Sequence, residues 1–278
     1  MKEIDIPSHS GDLAATLFEG TKQDTILIIA SATGVKQAYY QKFAQFIAGN
    51  DISVITFDYN GIGRSLKRPI TELEIDAADW GRQDIESVIQ YVISNYPNSK
   101  KVILGHSIGG QLIGLSKSSH QLDKVILVAA QSGYWKLWTG MSRLKMWFNW
   151  FVLFPALLRT FGYLNSKMFS GMENLPKRVA DQWRTWGKHP DYIMSDKSIE
   201  QTHYDNIKVS LSAFSIEDDE YAPPGSVEWM TGQYHNAKTK STQLKPADFQ
   251  VSKIGHFGVF KERFEKTIWQ QLLDEILN

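Results

Sequence analysis

Hydrophobic residues fall into short continuous runs along much of the chain, and amphipathic stretches separate these runs. Uninterrupted apolar runs are typical of strands that are covered on both faces of a parallel sheet. They predict strands at residues 25–30, 52–57, 102–104, 125–130 and 209–216. Helix-period stretches lie between them, most clearly at 76–96. Strands and helices therefore alternate with short links, which predicts an α/β fold with a mostly parallel central sheet flanked by helices.

The two ends of the chain extend this pattern. Alternating or apolar stretches at 4–6 and 13–18, joined by a polar turn, predict two short strands before the parallel set. After the strand at 209–216, a last strand is predicted at 247–251 and a closing helix at 262–277. Both ends thus belong to the sheet domain.

The rhythm of strands and helices stops at Gln131. The next segment, 131–206, has no clean buried strand but has aromatic, helix-like stretches such as 146–154, which is too short to span a bilayer. Six of the nine tryptophans fall in this segment, so it differs in composition from the rest. We therefore expect a sheet core formed by 1–130 and 207–278 and an inserted helical, aromatic-rich cap at 131–206.

Composition excludes several classes of function. The 278 residues include 30 basic and 30 acidic ones, so no excess charge favours binding to nucleic acid. The chain has no cysteine, which excludes disulfides, thiol catalysis and cysteine-ligated metals. No histidine spacing indicates a metal site, and no cofactor is expected. The first residues lack the apolar core of a signal peptide, so a cytoplasmic enzyme is the expectation.

A candidate nucleophile lies in the segment 105–110, Gly-His-Ser-Ile-Gly-Gly, which contains the pattern G-x-S-x-G. The segment directly follows the apolar run at 102–104 and precedes a helix-compatible stretch at 111–117. This strand–turn–helix setting is the one that a nucleophile elbow requires. Glycines on either side of Ser107 would permit a turn too tight for larger residues. The pattern therefore predicts Ser107 as a nucleophile.

A serine hydroxyl needs a general base, and the base needs an acid that orients it. In this architecture the partners follow the serine in the order acid, then histidine, each on a loop after a later strand. Asp219 and its neighbour Asp218 follow the strand at 209–216, and His256 precedes the closing helix. His235 is the alternative base, but it lies in a polar stretch. His106 adjoins Ser107 and cannot easily turn back to it.

Four segments together resemble the α/β-hydrolase superfamily: 58–65, 105–110, the acid loop 219–223 and the Gly-His-Phe-Gly stretch 255–258. The resemblance is closest to bacterial predicted hydrolases related to the serine aminopeptidase and monoacylglycerol lipase branch. It implies an α/β-hydrolase fold with an inserted cap, in which Ser107 is the nucleophile, His256 the base and Asp219 the acid. Asp219 is preferred to Asp218 because the acid in related loops commonly lies four residues before a proline, here Pro223.

The oxyanion of a tetrahedral intermediate needs two hydrogen-bond donors. One is expected to be the backbone N–H of Ile108, which directly follows the nucleophile at the start of a helix. The second should come from the loop after the strand at 25–30. Related enzymes often have His-Gly in that loop, whereas this chain has Ser-Ala-Thr-Gly at 31–34. Thr33 is the preferred donor and Ala32 the alternative.

These features predict a serine hydrolase that cleaves carboxylic esters of small to medium apolar acyl groups through an acyl-enzyme. The expected partner is a small-molecule ester or acyl substrate, and contact with a membrane surface ranks below it. Aminopeptidase or amidase activity is an alternative that needs an acidic side chain for the substrate amine, with Glu173, Asp181 and Glu217 as candidates. An acyltransferase would share the triad, and a non-catalytic ligand-binding protein would share the fold.

Overall fold

The computed structural model describes the whole chain, residues 1–278, and is built around one eight-stranded sheet. The ten strands are β1 (Lys2–Ile6), β2 (Leu13–Phe18), β3 (Thr25–Ala30), β4 (Ser53–Phe57), β5 (Lys100–His106), β6 (Lys124–Val128), β7 (Tyr163–Leu164), β8 (Leu175–Pro176), β9 (Ser210–Ile216) and β10 (Lys238–Leu244). Across the large sheet the order is β1-β2-β4-β3-β5-β6-β9-β10, and β7 and β8 form a separate ribbon. β2 pairs antiparallel with β1 and β4, and every other pair in the large sheet is parallel. The predicted mostly parallel sheet is confirmed.

Nine α-helices complete the regular structure. They are α1 (Gln41–Ala48), α2 (Ala77–Asp79), α3 (Glu86–Asn95), α4 (Ile108–Leu112), α5 (Gly140–Phe148), α6 (Phe154–Phe161), α7 (Lys177–Lys188), α8 (Pro224–Thr231) and α9 (Ile268–Leu277). A π-helical turn, Trp80–Ile85, joins α2 to α3, so the helix predicted at 76–96 is one continuous helical segment. None of these helices combines the length and the hydrophobicity needed to cross a lipid bilayer.

Both faces of the central strands are packed, which explains why these strands are mostly apolar. In β3, Ile28 belongs to a core cluster that contains Trp80, whereas its neighbour Leu27 belongs to a second cluster that contains Trp269. Successive side chains point to opposite faces of a strand, so the two clusters lie on the two faces of the sheet. Full burial of each such side chain contributes roughly 1.5–3 kcal/mol.

The prediction of a strand at 247–251 is wrong. The last strand is β10, which ends at Leu244, and residues Pro246–Phe249 form a 3₁₀ turn instead. β10 is an edge strand whose side chains are mostly exposed and polar, so it carries no apolar run. The closing helix also begins later than predicted, at Ile268, after a short 3₁₀ turn at Glu262–Phe264.

The segment between β6 and β9 contains α5, α6, α7 and the short antiparallel ribbon of β7 and β8. Its core is aromatic. Trp150 is buried and donates a hydrogen bond from Nε1 to the carbonyl oxygen of Gly133 at 3.0 Å. A Cβ atom at Gly187 would lie 2.5 Å from the Trp150 ring, so α7 packs directly on this side chain. Trp186 is also fully buried. Part of the tryptophan content therefore packs within this segment.

Candidate active site

Ser107 occupies the tight turn between β5 and α4. Its φ is +54°, in the left-handed region, where a residue other than glycine costs roughly 1–3 kcal/mol. The turn brings backbone segments into contact around it. A Cβ atom at Gly105 would lie 2.4 Å from Cα of Gly110, and one at Gly109 would lie 2.2 Å from the carbonyl oxygen of Ala30. Glycine is therefore required at both flanking positions, and the turn holds Ser107 at the carboxyl edge of the sheet.

The hydroxyl of Ser107 contacts one member of a pair of buried amides. Its Oγ donates to Oε1 of Gln131 at 3.3 Å, and the same Oε1 accepts a hydrogen bond from Nε2 of Gln111 at 3.1 Å. Nε2 of Gln131 donates to the carbonyl oxygen of Tyr221 at 3.3 Å. The Ser107 side chain forms its hydrogen bond with Gln131 and none with His256. Only 5% of Ser107 is exposed, so the site is nearly closed to solvent.

The amide pair is connected to the aromatic segment above it. Oε1 of Gln111 accepts a hydrogen bond from the hydroxyl of Tyr192 at 2.9 Å, and that hydroxyl accepts one from Nε1 of Trp183 at 3.0 Å. Gln111 and Tyr192 are both buried. Neither Gln111 nor Gln131 is identified as a site residue by sequence reasoning. The available signal is a polar side chain at 131, just beyond the buried strand β6.

Asp219 and His256 are hydrogen-bonded to each other. Oδ2 of Asp219 lies 2.7 Å from Nδ1 of His256, and their side chains are 0% and 4% exposed. Oδ1 of Asp219 accepts from the backbone N–H groups of Tyr221 at 2.7 Å and Ala222 at 3.0 Å. An ionised carboxylate can only accept hydrogen bonds, so the Nδ1 atom carries the proton. Nε2 of His256 is then the basic nitrogen.

Asp218, the alternative acid, and His235, the alternative base, do not take part in the hydrogen bond between Asp219 and His256. Asp218 accepts hydrogen bonds from the backbone N–H groups of Ile254 at 3.0 Å and Gly255 at 3.1 Å, so it fixes the loop that leads to the histidine. His235 pairs with Asp205 at 2.8 Å, and both side chains are about two-thirds exposed. Asp218 thus acts on the backbone of the histidine loop, while His235 is a surface residue.

A chain of buried hydrogen bonds runs behind the site. The backbone N–H of Ala32 donates to the hydroxyl of Tyr40 at 2.9 Å, and Tyr40 lies 2.8 Å from Nδ1 of His106. Nε2 of His106 lies 3.0 Å from the carbonyl oxygen of His256. Burial lowers the pKa of His106 well below its usual value, and the neighbouring His256 adds to this effect. A neutral His106 therefore accepts from Tyr40 and donates to the backbone of His256.

These buried hydrogen bonds also distinguish between Thr33 and Ala32 as candidate oxyanion donors. Because the N–H of Ala32 is used by Tyr40, it is not free to bind a substrate. The N–H of Thr33 has no acceptor in the protein, and that of Ile108 begins α4 and has no acceptor within the helix. Gly34, with φ +64°, follows Thr33, and its carbonyl oxygen accepts a hydrogen bond from the N–H of Glu173 at 2.7 Å.

The acidic residues considered for binding a substrate amine are paired with cations or exposed at the surface. Glu173 pairs with Lys167 at 2.8 Å, and Asp181 pairs with Arg184 at 2.6 Å. Glu217 is exposed at the surface. The structure contains no group of three or more His, Asp or Glu side chains arranged to hold a metal ion.

The mostly parallel sheet, the strained serine turn after its central strand and the buried Asp–His pair on later loops are the features of an α/β serine hydrolase. Comparison with protein families agrees. The family described as serine aminopeptidase, S33, matches residues 21–213, more than half of the chain. The chain belongs to this family of hydrolases, and both the predicted α/β-hydrolase fold and the family resemblance are confirmed.

Solved structures share the fold at low sequence identity. A soluble variant of monoglyceride lipase from Saccharomyces cerevisiae has a TM-score of 0.70 and 11% identity, over 99% of this chain and 94% of that one. An esterase from Pyrococcus furiosus has a TM-score of 0.63 and 17% identity, over 99% and 90%. An esterase from Exiguobacterium antarcticum has a TM-score of 0.62 and 15% identity, over the full length of both chains. Comparison with curated protein sequences gives no match.

Proposed function

We propose that this protein is a serine hydrolase that cleaves carboxylic esters of small to medium apolar acyl groups. In this proposal Ser107 is the nucleophile, His256 the general base and Asp219 the acid that orients it. The observation that carries the proposal is the buried 2.7 Å hydrogen bond between Asp219 and His256, on loops at the sheet edge where the strained Ser107 turn lies. That bond leaves Nε2 of His256 as a base without a protein partner.

The reaction would proceed in two balanced steps. His256 Nε2 accepts the Ser107 proton as Oγ attacks the ester carbonyl, and the imidazolium then protonates the departing alcohol. The acyl-enzyme remains. A water molecule gives its proton to Nε2 and attacks the acyl carbonyl, and the proton returns to Ser107 as the carboxylic acid leaves. Asp219 stays ionised throughout and stabilises the imidazolium.

The backbone N–H groups of Ile108 and Thr33 are the proposed oxyanion donors. Each is without a partner of its own, whereas Ala32 already donates to Tyr40. The hydrogen bonds through Tyr40 and His106 support the proposed catalysis, because they connect the loop of Ala32 to the backbone of His256. Removal of one such donor typically costs about 10²–10³-fold in turnover.

The side chains around Ser107 and His256 favour an ester over an aminoacyl substrate. Apart from Asp219 and His106, the side chains that the structure places against Ser107 and His256 are amide or aromatic: Gln131 bonds the serine, and the rings of Tyr221 and Phe257 lie 5.5 and 4.9 Å from the His256 ring. Two of the acidic candidates for an amine site already pair with cations. The esterases and the lipase of the same fold agree with this choice.

The test is labelling by a fluorophosphonate combined with a panel of p-nitrophenyl esters of increasing chain length and an aminoacyl p-nitroanilide. We expect covalent labelling at Ser107, detected by peptide mass spectrometry, and fastest turnover on short to medium esters. Failure to label Ser107 would remove the proposed nucleophile. Faster turnover of the anilide than of any ester would replace the ester assignment with aminopeptidase activity.

The hydrogen bond between Ser107 and Gln131 leads to a separate prediction. To react, the serine hydroxyl must turn from Gln131 to His256. Gln131→Met has a similar shape but no strong acceptor, so we expect it to react with fluorophosphonate about fivefold faster, which corresponds to one hydrogen bond of about 1 kcal/mol. Gln131→Glu should react more slowly, because its charge holds the hydroxyl and opposes the oxyanion.

The second-order labelling rate of the two variants measures this effect. A thermal unfolding curve controls for any destabilisation that follows from removing the hydrogen bond with Gln111. If the methionine variant labels more slowly than the unmodified protein, Gln131 assists the reaction rather than competing for the serine.

A further inference from the structure

The segment that contains α5 and α6 presents large apolar side chains to solvent. They follow one another at helical spacing through α5 and the π-helical turn Asn149–Leu153, and we call them the cap face: Met141, Leu144, Trp147, Phe148, Phe151 and Val152. Met141 is 78% exposed and Leu144 56% exposed. No residue of α5 is buried, so this helix contributes little to the protein's own core.

The aromatic side chains of the cap face contact one another as well as neighbouring parts of the protein. The rings of Trp147 and Phe151 stack at 5.6 Å, and Trp135 meets Phe151 edge-on at 6.2 Å. Beside them, Trp135, Gly140, Arg143, Leu144 and Trp147 line an open groove of about 380 Å³. The cap face is therefore a continuous apolar surface rather than a scatter of single exposed residues.

The chain segment that carries the cap face has charged side chains of one sign only. Residues 131–172 include five basic side chains and no acidic one, although the whole chain is neutral. These bases are Lys136, Arg143, Lys145, Arg159 and Lys167, and all five are exposed. Lys136 and Arg143 lie 5.4 and 5.3 Å from the centre of the Trp135 ring. Of the five, only Lys167 forms a salt bridge, so four positive charges have no anionic partner.

We propose that the cap face docks on the surface of an anionic lipid bilayer. Apolar and aromatic side chains on a helix, flanked by lysine and arginine, are the combination that lies in a membrane interface and is attracted by acidic headgroups. A second copy of the chain is a poorer occupant. A twofold contact between two cap faces would bring the same unpaired bases together, with no acidic residue in 131–172 to oppose them.

The cap face is also joined to the acid loop. Trp138, which lies between Trp135 and α5, is buried and donates a hydrogen bond from Nε1 to the carbonyl oxygen of Glu220 at 2.9 Å. Glu220 is the residue after Asp219. A bilayer that binds the cap face would therefore lie near the loop that carries the proposed catalytic acid.

The test is co-sedimentation of the full-length chain with lipid vesicles. The Ser107→Ala variant is used so that no lipid is hydrolysed and the result does not depend on the proposed function. We expect binding to vesicles of phosphatidylcholine mixed with phosphatidylglycerol, weaker binding to phosphatidylcholine alone, and a decrease in binding as salt is raised. Added Leu144→Glu and Phe148→Glu should weaken binding roughly tenfold or more, because they place charge in the apolar contact.

Leu277→Glu is the matched control, since Leu277 is 55% exposed on α9, outside the cap face. Its binding should equal that of the parent. Undiminished binding by the Leu144→Glu and Phe148→Glu variant overturns the proposal, as does equal weakening by Leu277→Glu. Equal, salt-independent binding to both vesicle types overturns the anionic preference. A dimer in the absence of vesicles that the double variant abolishes, with no vesicle binding, overturns the lipid proposal in favour of a second copy.

Discussion

Replacing Ser107 by alanine is expected to lower kcat/KM for a short p-nitrophenyl ester by at least about 10³-fold. The variant keeps His256 and Asp219 but has no oxygen that can form an acyl-enzyme. It should also fold. Alanine has the same Cβ as serine and tolerates φ +54° no worse, and the substitution removes a single side-chain hydrogen bond, the 3.3 Å one to Gln131. That hydrogen bond is worth about 1 kcal/mol or less, so Tm should change little.

The measurement is steady-state hydrolysis together with a thermal unfolding curve by circular dichroism. Ser142→Ala, on the exposed surface of α5, is the matched control and should leave hydrolysis unchanged. Ester turnover by Ser107→Ala within tenfold of the unmodified protein, with an unchanged Tm, would exclude Ser107 as the nucleophile. A large fall in Tm would make the reduced activity uninformative about chemistry, and for that case covalent labelling at Ser107 in the unmodified protein gives an independent test.

Asp219→Asn is the second substitution with a large expected effect, and Asp218→Asn is its natural comparison. The amide at 219 can donate to Nδ1 of His256, which would move the imidazole proton to Nε2 and leave no base facing the serine. By that tautomer change we expect kcat to fall about 10⁴-fold. The two backbone donors at Tyr221 and Ala222 can still bond the amide oxygen, so the loop should keep its conformation.

Asp218→Asn should behave differently, because Asp218 binds backbone N–H groups and not the imidazole. An amide oxygen can retain one of those two bonds, so we expect a decrease of about 1–3 kcal/mol in stability and a much smaller change in turnover. Measured kcat values and denaturant midpoints for both variants separate the two roles. The reverse order of effects on kcat would transfer the acid's role to Asp218.

Most of the sheet and the serine turn can be predicted from the sequence, for a physical reason that β3 and β5 illustrate. Strands covered on both faces are apolar along their buried part, so they are visible in the sequence as apolar runs. A tight turn such as that at Ser107 needs glycine at fixed spacing. β10 is not predicted in this way, because an edge strand with a solvated face needs neither an apolar run nor glycines at fixed spacing. Its residues, 238–244, are mostly polar, whereas the more apolar stretch after Pro246 gives a strand-like signal but forms a turn.

The interactions within the site are less accessible to sequence. Asp218 and Asp219 are adjacent and chemically identical, and only the path of the turn after β9 decides which carboxylate meets the imidazole. The amides of Gln111 and Gln131 meet because α4 and the end of β6 are neighbours in space, 20 residues apart in the chain. Membrane contact ranks low from sequence when only the net charge of zero is considered. The excess of bases in 131–172 is readable in the sequence, but the exposure of the apolar side chains of α5 becomes visible only in three dimensions.

The hydrogen bond between Glu173 and Gly34 has a consequence for the order of events in turnover. It joins a residue of the aromatic segment to the turn that holds the N–H of Thr33. Any displacement that lifts Glu173 to let a substrate in must break this bond or pull the turn with it. If substrate enters in this way and Thr33 is the oxyanion donor proposed above, loading and reaction would take place in different conformations. The rate of reclosure would set an upper limit on kcat, whatever the intrinsic reactivity of the ester.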